Sequence, residues 1–355
     1  MQARSVLSEI WRDIISGMAR SVSLTICIFV IVTSCAGVDA LQVISIERQA
    51  NEFEDAKGDV SLVKSSNGID GQTCNALSQG SRMQASGALR QNGDMTLSAL
   101  PHNAITRYEV TDGFLNVIDG TIHDHQGVWL PSTLAKKLGV SGASSLQTSQ
   151  GKVRVAGVYD WPEDGRDSRL GYAVLVPVPA ADAFDECWAS AWPATDVSTE
   201  MRQSVYATSD PSQAQTGSLN YANGETMDAY GLFASRLTRF AMPAGCLVTF
   251  ALAFVYLRRR RLEIAGDLHA GASKPIILLQ MLGEHMIPTL MGMIMAYSVL
   301  FILVRLINPT PADTMPIFLL ELHEGLLLPC ATAAGILIST ALIKENDLFK
   351  LFKTR

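Results

Sequence analysis

Charged side chains are scarce in this sequence, and the common catalytic motifs are missing from it. Only 17% of the 355 residues are Asp, Glu, Lys or Arg, whereas 48% are hydrophobic. The sequence has no Gly-x-x-x-x-Gly-Lys-Ser/Thr loop for nucleotide phosphates, no Gly-x-Ser-x-Gly nucleophile turn and no His-Glu-x-x-His zinc helix. We therefore predict that the chain is not an enzyme and that it holds no cofactor and no metal ion of its own.

Four long apolar stretches account for the low charge. A helix that crosses a bilayer needs about 20 mostly apolar residues. Stretches of this kind occupy residues 21–41, 240–257, 277–307 and 317–343. The segments 258–276 and 308–316 are short connections, whereas 42–239 is large enough to be a domain. The predicted fold class is an α-helical membrane protein with four transmembrane helices and an α+β domain inserted between helices 1 and 2.

Three groups of basic residues flank the four predicted spans, and all three fall on the same side of the membrane if the chain crosses it four times. They are Arg4, Arg12 and Arg20 before the first span, Arg258, Arg259, Arg260, Arg261 and Lys274 between the second and third, and Lys344, Lys350, Lys353 and Arg355 after the fourth. Because Lys and Arg concentrate on the cytoplasmic side of membrane proteins, both termini are predicted to be cytoplasmic and 42–239 extracytoplasmic.

The first 20 residues have the spacing of an amphipathic helix. The apolar residues recur three or four positions apart, at Leu7, Ile10, Trp11, Ile14, Ile15 and Met18. This stripe predicts a helix that lies in the cytoplasmic membrane interface, with Trp11 as an anchor. Packing against another cytoplasmic element is the alternative. Residues 344–355 are predicted to be a cytoplasmic tail.

The predicted extracytoplasmic domain alternates strand and helix patterns. Runs rich in β-branched and aromatic residues predict strands at 60–63, 105–110, 152–159, 172–178 and 204–208. Helical spacing predicts helices at 131–140 and 180–192, and stalk helices at 41–57 and 223–240.

The charge of this region is strongly negative. Residues 41–235 contain 13 Lys and Arg against 23 Asp and Glu, a net charge of −10. Nucleic acid is therefore not an expected partner.

Two small groups of residues in the sequence remain open to more than one interpretation. Cys74 and Cys187 are the two cysteines outside the predicted spans, and an extracytoplasmic compartment permits a disulfide between them without requiring it. Glu321, His323 and Glu324 interrupt the outer part of the fourth span. Ionisable groups there either reach the membrane interface, which is the simpler interpretation, or line a cavity that contacts a substrate.

The segment "LRRRRLEIAGDLHAGASKP" (257–275) carries the most specific pattern. Glu263 is followed eight residues later by Gly271, Ala272 and Ser273, and Glu284 follows Ser273 by eleven residues. This spacing resembles the cytoplasmic segment of MacB/FtsX-type ABC transporter permeases. Residues 111–140 and 152–161 also resemble an exterior segment of that family. The sequence departs from the family pattern at Ala265, where the family has glycine, at residues 268–270 and at Pro275, and it lacks the C-terminal signature.

The resemblance implies a set of partners and contacts. It implies a second permease chain, identical or related, and two copies of an ABC ATPase subunit that binds ATP and Mg²⁺. The implied ATPase-coupling residues are Glu263, Leu268, Gly271, Ala272 and Ser273, with Glu284 bracing them. Arg258, Arg259, Arg260 and Arg261 would anchor the second span to the anionic lipid of the inner leaflet.

The resemblance also implies a function in the bacterial cytoplasmic membrane. The chain would couple ATP hydrolysis by its partner to movement of the extracytoplasmic domain, for efflux of an amphiphilic peptide, drug, haem or lipid-like molecule. One alternative is an FtsX-like transducer that activates an extracytoplasmic cell-wall hydrolase. Another alternative is a membrane receptor or sensor without an ATPase.

Overall fold

The chain divides into two compact units, Gln49–Gly231 and the combination of Met1–Arg48 with Leu232–Arg355. A computed structural model describes residues 8, 10–12, 20–80, 82–98, 101–119, 121–122, 126–140, 144–149, 151–193, 196–206, 214–222, 224, 226–308 and 310–343. Most of the predicted amphipathic helix at 1–20, and all of the predicted tail at 344–355, lie outside these residues.

The longest helices follow the apolar stretches of the sequence, and shorter helices lie between them. They are α1 (Ser21–Asp55), α2 (Gly71–Ala76), α3 (Phe114–Val117), α4 (Ser132–Leu138), α5 (Ser198–Met201), α6 (Ala229–Ser235), α7 (Ala241–Arg259), α8 (Arg261–His269), α9 (Lys274–Ile307), α10 (Thr314–Gly325) and α11 (Leu327–Leu342). Among the described residues, four helical segments are long and apolar enough to cross a membrane, which fits a multi-pass membrane protein: Ser21–Asp55, Ala229–Arg259, Lys274–Ile307 and Thr314–Leu342.

The fourth segment consists of two helices rather than the single predicted one. The break lies at Leu326, where the ring of Tyr297 occupies the space beside Gly325. A Cβ atom on Gly325 would lie 1.6 Å from the Tyr297 hydroxyl, and that hydroxyl donates a hydrogen bond to the Glu321 carbonyl over 3.1 Å. Pro329, which has no N–H to donate, lies in the first turn of α11 and also favours the interruption.

Helix α9 is longer than a membrane requires. Its 34 residues correspond to about 50 Å of helix, whereas the hydrocarbon core of a bilayer is about 30 Å thick. The part from Glu284 to Ile307 corresponds to about 35 Å and suffices to cross it. Helix α9 therefore has about ten residues more than a span requires.

Small residues bring the helices of this unit into close contact. A Cβ atom on Gly245 of α7 would lie 3.1 Å from Cys35 Sγ of α1, and one on Gly335 of α11 would lie 2.6 Å from the Phe250 carbonyl of α7. A Cβ atom on Gly292 of α9 would lie 2.7 Å from the Thr25 carbonyl of α1. Close backbone approach at small residues is the usual packing mode of membrane helices.

In the part that the structure describes, the other unit is built on one mixed sheet of ten strands. They are β1 (Val60–Asp70), β2 (Ala85–Thr96), β3 (Ala104–Val110), β4 (Thr121–Ile122), β5 (Val128–Pro131), β6 (Ser145–Thr148), β7 (Gly151–Tyr159), β8 (Ala173–Pro177), β9 (Ala183–Ser190) and β10 (Gln215–Ser218). Their order is β10-β1-β9-β2-β3-β8-β5-β7-β4, with β6 paired to β7. The β3–β8 and β5–β7 pairs are parallel, and the others are antiparallel.

Three sequence predictions for this unit need correction. The helix predicted at 180–192 is strand β9, which pairs with β1 on one side and β2 on the other. The strand predicted at 204–208 begins in a short 3-10 helix, Arg202–Ser204, which is followed by a single bridge between Ile69 and Val205, and residues 207–208 lie outside the described residues. The stalk helix predicted at 223–240 is reduced to α6 and the 3-10 helix Leu237–Phe240.

Aromatic packing and one disulfide hold the sheet unit together. Trp188 of β9 packs against Phe114 of α3, with their ring centroids 5.0 Å apart, and both side chains are fully buried. Cys74 of α2 is joined to Cys187 of β9 by a disulfide, with the Cα atoms 5.8 Å apart. The bond connects positions 113 residues apart in the sequence.

Candidate functional site

Helix α8 is a nine-residue element between two of the membrane-type helices. It ends in a turn that glycine favours, because Gly271 has a φ angle of +93°. The Ala272 N–H donates to the Asp267 carbonyl over 3.0 Å, and the Gly271 N–H donates to the Leu268 carbonyl over 3.1 Å. These two bonds are the usual way in which a glycine-terminated helix satisfies its last carbonyls.

The chain enters α9 directly from this turn. Ser273 is extended, with φ −78° and ψ 144°, and its carbonyl accepts hydrogen bonds from the Ile276 and Ile277 N–H groups. Pro275 lies in the first helical turn, where a missing N–H costs no helical hydrogen bond. The departure from the family pattern at Pro275 is therefore compatible with the geometry of this helix start.

Helix α8 has one buried face and one exposed face. Ile264 and Ala265 are almost fully buried in a cluster with residues of α7, α9 and α11. Leu268 and Ala272 are half-buried against the same cluster. The exposed residues of α8 and the turn are Arg261, Glu263, Asp267, His269, Ala270, Gly271 and Ser273. The α8–α9 turn (residues 270–273) is thus a mostly exposed surface supported by an apolar base.

Arg260 connects this short helix to its two neighbours. It is the residue that ends α7 and precedes α8. Its Nε and Nη2 atoms donate to the two carboxylate oxygens of Glu263 over 2.8 and 2.5 Å, and its Nη1 donates to Glu284 Oε2 of α9 over 2.6 Å. The guanidinium also lies 5.8 Å from the centre of the Tyr256 ring in α7. We call Arg260, Glu263 and Glu284 the basic-end cluster.

The electrostatics of this cluster favour its ionised form. The hydrogen bond to Glu263, supported by the one to Glu284, raises the pKa of Arg260 above its ordinary value in spite of burial. The hydrogen bond from Arg260 lowers the pKa of Glu263, and partial burial opposes this effect. The side chain of Glu284 is fully buried, whereas that of Glu263 is 46% exposed. The contact between Arg260 and Glu284 is therefore buried, whereas the contact between Arg260 and Glu263 is partly exposed.

The structure brings together most of the predicted coupling residues. Arg260 joins Glu263 to Glu284, and the α8–α9 turn contains Gly271, Ala272 and Ser273. The bridging position of Arg260 had not been predicted from the sequence. Its spacing of three residues before Glu263 is a recognisable helical pair, but no local pattern indicates the contact with Glu284.

The predicted leaflet anchors do not share one environment. Arg258, Arg259 and Arg261 are exposed, whereas the side chain of Arg260 is only 13% exposed and is bound to carboxylates. In the predicted amphipathic helix, Trp11 is exposed and the neighbouring Ile10 is buried. A Cβ atom on Gly283 of α9 would lie 2.5 Å from Ile10 Cδ1, so this residue packs against α9.

A second arginine is bound to carboxylates at the opposite end of α7. Arg236 forms a two-point ion pair with Asp39 of α1, with distances of 2.9 and 3.1 Å. Its Nη2 also lies 3.4 Å from Glu324 Oε1 of α10. Thr238 donates a further hydrogen bond to Asp39. We call Asp39, Arg236 and Glu324 the far-end cluster.

The ionisable residues predicted at the outer part of the fourth span differ in their environment. Glu324 belongs to the far-end cluster, Glu321 is fully buried, and His323 is exposed. They therefore do not form one common surface. Within the described residues, no group of three or more His, Cys, Asp or Glu side chains has an arrangement that could hold a metal ion.

Comparisons with known proteins identify likenesses to solved domains. No protein-family model and no curated protein matches the sequence. The periplasmic region of MacB from Actinobacillus actinomycetemcomitans is 12% identical, with a TM-score of 0.31, and the match covers 43% of this chain and 85% of that one. A domain of a protein described as a permease from Porphyromonas gingivalis is 12% identical, with a TM-score of 0.33 and coverages of 51% and 98%.

A third likeness is to the extracellular domain of the noncanonic ABC-type transporter YknZ from Gram-positive bacteria. It is 13% identical, with a TM-score of 0.32, and the match covers 44% of this chain and 98% of that one. The three matches thus cover between 43% and 51% of this chain.

Proposed function

We propose that this chain is the permease subunit of an ABC transporter of the MacB/FtsX type. The observation that carries the proposal is that α8, which ends in the exposed α8–α9 turn, is connected through Arg260 to two membrane-type helices, α7 and α9. A partner ATPase that binds ATP and Mg²⁺ would contact this turn. The chain itself would carry out no bond chemistry.

The contacts of Arg260 support transmission of force from the turn into the bundle. Arg260 directly follows α7, so a displacement of α8 acts on the end of α7 through the backbone. Its hydrogen bond to Glu284 passes the same displacement to α9. Because Ile264 and Ala265 are packed in an apolar cluster, α8 moves with its base rather than bending away from it.

Helix α1 offers a route for this movement toward the sheet unit. It runs without interruption over 35 residues, from Ser21 to Asp55, and β1 begins five residues later at Val60. We propose that two ATPase copies, closing on ATP, move α1 and α7 in each of two permease chains as rigid elements. The second chain would be identical or related.

The proposed cargo is an amphiphilic molecule such as a peptide, drug, haem or lipid-like compound. Four spans leave little room for a hydrophilic pore, which favours expulsion from the membrane surface. An FtsX-like transducer of a cell-wall hydrolase would use the same coupling turn. The two differ in the measured response: a substrate stimulates ATP hydrolysis in the first, and an extracytoplasmic hydrolase is activated in the second.

The test is Ala270→Arg, which adds a charged side chain at an exposed position of the turn. Ala270 has a φ angle of −76°, so the substitution introduces no backbone strain. We expect the ATPase that co-purifies with the wild-type chain in mild detergent to be lost, together with ATP hydrolysis. Mass spectrometry of the purified complex measures the first effect.

Ala312→Arg is the matched control. Ala312 is exposed in the 3-10 helix Pro311–Asp313, between α9 and α10, and the same charge there is expected to leave the ATPase bound. An intact complex with normal hydrolysis in Ala270→Arg contradicts the coupling role of the turn. Purification of the wild-type chain without any ATPase contradicts the proposed function and favours a sensor.

A further inference from the structure

A cavity lies between α1 and α7 at the end of the bundle where α1 begins and α7 ends. Its volume is about 570 Å³. Two kinds of side chain line it. Arg20 and Arg259 lie at its rim, and its walls include Leu24 and Cys27 of α1 with Leu252 and Val255 of α7.

The charged rim of the cavity and its apolar walls are separated by a defined length of helix. Along α1, Cys27 is seven residues from Arg20, and along α7, Leu252 is seven residues from Arg259. Seven residues of helix correspond to about 10 Å. The cavity therefore presents two cationic groups at one level and an apolar surface that extends about 10 Å away from them.

The two rim arginines have no ion-pair partner among the residues that the structure describes. Arg260 and Glu263 also line the cavity, but their charges are engaged with each other. The hydrogen bonds of Arg260 to Glu263 and Glu284 leave its charge compensated within the basic-end cluster. With both carboxylates ionised, that cluster has a net charge of −1, which offsets one of the two rim arginines. The surroundings of the cavity therefore keep a net charge of +1, and this positive charge comes from Arg20 and Arg259.

We propose that this cavity binds one anionic phospholipid, with its phosphate between Arg20 and Arg259 and part of an acyl chain along the Leu24, Cys27, Leu252 and Val255 walls. Charge complementarity selects the anionic headgroup. The apolar walls select a lipid over a free phosphate, because a soluble anion would leave them without contact. The site is distinct from the α8–α9 turn and needs no ATPase.

The position of the lipid gives it access to the coupling elements. Arg259 and Arg260 are adjacent in the chain, so a phosphate held by Arg259 lies next to the residue that binds Glu263 and Glu284. A bound lipid would thereby hold the start of α1 beside the end of α7. Its loss would leave two like charges facing each other across the cavity.

The test measures lipid retention by the full-length chain in detergent by native mass spectrometry, with added phosphatidylglycerol or phosphatidylcholine. We expect one phosphatidylglycerol to be retained in preference to phosphatidylcholine. The double variant Arg20→Gln/Arg259→Gln is expected to weaken phosphatidylglycerol binding roughly 25-fold, since each basic residue near an anionic lipid contributes about a fivefold effect.

Arg258→Gln/Arg261→Gln is the matched control, because it removes the same charge from the same exposed stretch without touching the cavity. It is expected to change binding less than about threefold, since its charges act only through screened long-range attraction. Equal losses in the two double variants would overturn the proposal and indicate general surface attraction. The same affinity for both lipids would overturn it as well.

A second pair of variants tests the apolar walls. Leu252→Trp fills the cavity and is expected to reduce phosphatidylglycerol binding at least tenfold, whereas Leu247→Trp, on the same helix but outside the cavity, is expected to leave it unchanged. Unchanged binding in Leu252→Trp, or complete displacement of the lipid by millimolar inorganic phosphate, would indicate a phosphate site and overturn the lipid assignment. Neither result depends on the ATPase, so this inference fails separately from the proposed function.

Discussion

The two arginine clusters lie near opposite ends of α7 and differ in how far their side chains are buried. In the far-end cluster, the side chains of Asp39 and Arg236 are 2% and 5% exposed. In the basic-end cluster, Glu284 is fully buried, but Glu263 is 46% exposed. Both clusters join helices through one guanidinium between two carboxylates. Each cluster also has a carboxylate that is partly exposed, and Glu263 of the basic-end cluster, at 46%, is more exposed than Glu324 of the far-end cluster, at 24%.

This difference suggests separate mechanical roles for the two ends. Exposed ion pairs contribute about 0 to 1 kcal/mol and can exchange partners readily. Breaking a buried pair by removing one partner costs about 3 to 5 kcal/mol, because it leaves an uncompensated charge. The buried Asp39–Arg236 pair is therefore expected to hold its helices in one arrangement, whereas the partly exposed Glu263 can change its interaction with Arg260 when a partner docks.

The largest expected effect is at the far-end cluster. Asp39→Asn removes the carboxylate that binds Arg236 at two points, and we expect the free energy of unfolding to fall by about 3 kcal/mol or more. Chemical denaturation of the full chain in detergent measures it. Arg239→Gln is the control, because Arg239 is exposed three residues further along. A loss in Asp39→Asn no greater than that in the control would remove the distinction between the clusters.

A smaller loss is expected from Glu284→Gln in the basic-end cluster. Arg260 keeps its two hydrogen bonds to Glu263, so we expect about 2 kcal/mol in the same unfolding measurement. The double variant Arg260→Met/Glu284→Leu is expected to regain this stability, since apolar side chains can replace a buried ion pair. It should nevertheless weaken ATP hydrolysis by the assembled complex. Full hydrolysis in the double variant would show that the pair does not transmit force.

The smallest effect is expected from Glu263→Gln, at most about 1 kcal/mol, because its carboxylate is partly exposed. The hydrogen bond from Arg260 lowers the pKa of Glu263 in the folded chain. Its stabilising contribution is therefore complete above the ordinary pKa of 4.5 and disappears as the pH falls through the lowered value. Unfolding of wild type and variant from pH 7 to pH 3 measures this.

Glu163→Gln is the control for this pH series, because Glu163 is exposed and lies outside the basic-end cluster. Its unfolding free energy is expected to follow the wild-type curve across the whole pH range. A constant difference between wild type and Glu263→Gln down to pH 3 would show that the pairing with Arg260 does not contribute to stability.

The sequence allowed the helices to be predicted better than the central sheet. Long apolar runs indicate membrane-type helices because length and hydropathy are local properties. The segment 180–192 was predicted as a helix because Trp188 and Trp192 are four residues apart. It forms β9 because β1 and β2 offer hydrogen-bond partners on both sides and Phe114 packs on Trp188. Contacts from distant parts of the chain override such a local pattern.

Part of the candidate site was predictable, because that part depends on local sequence. The glycine turn at Gly271 and the helix start at Ser273 follow from conformational preferences of single residues. The break at Leu326 depends on Tyr297, which lies on another helix, and apolar spacing alone does not locate it.

The sequence by itself determines where this chain is apolar, where it is basic and where its short α8 helix ends, since these properties depend on neighbouring residues. Only the tertiary structure decides that Arg260 binds Glu284, 24 positions away, and that Arg236 binds Asp39, 197 positions away. Ion pairs depend on distances in space, and the sequence offers each arginine many carboxylates. The packing of the helices selects among them.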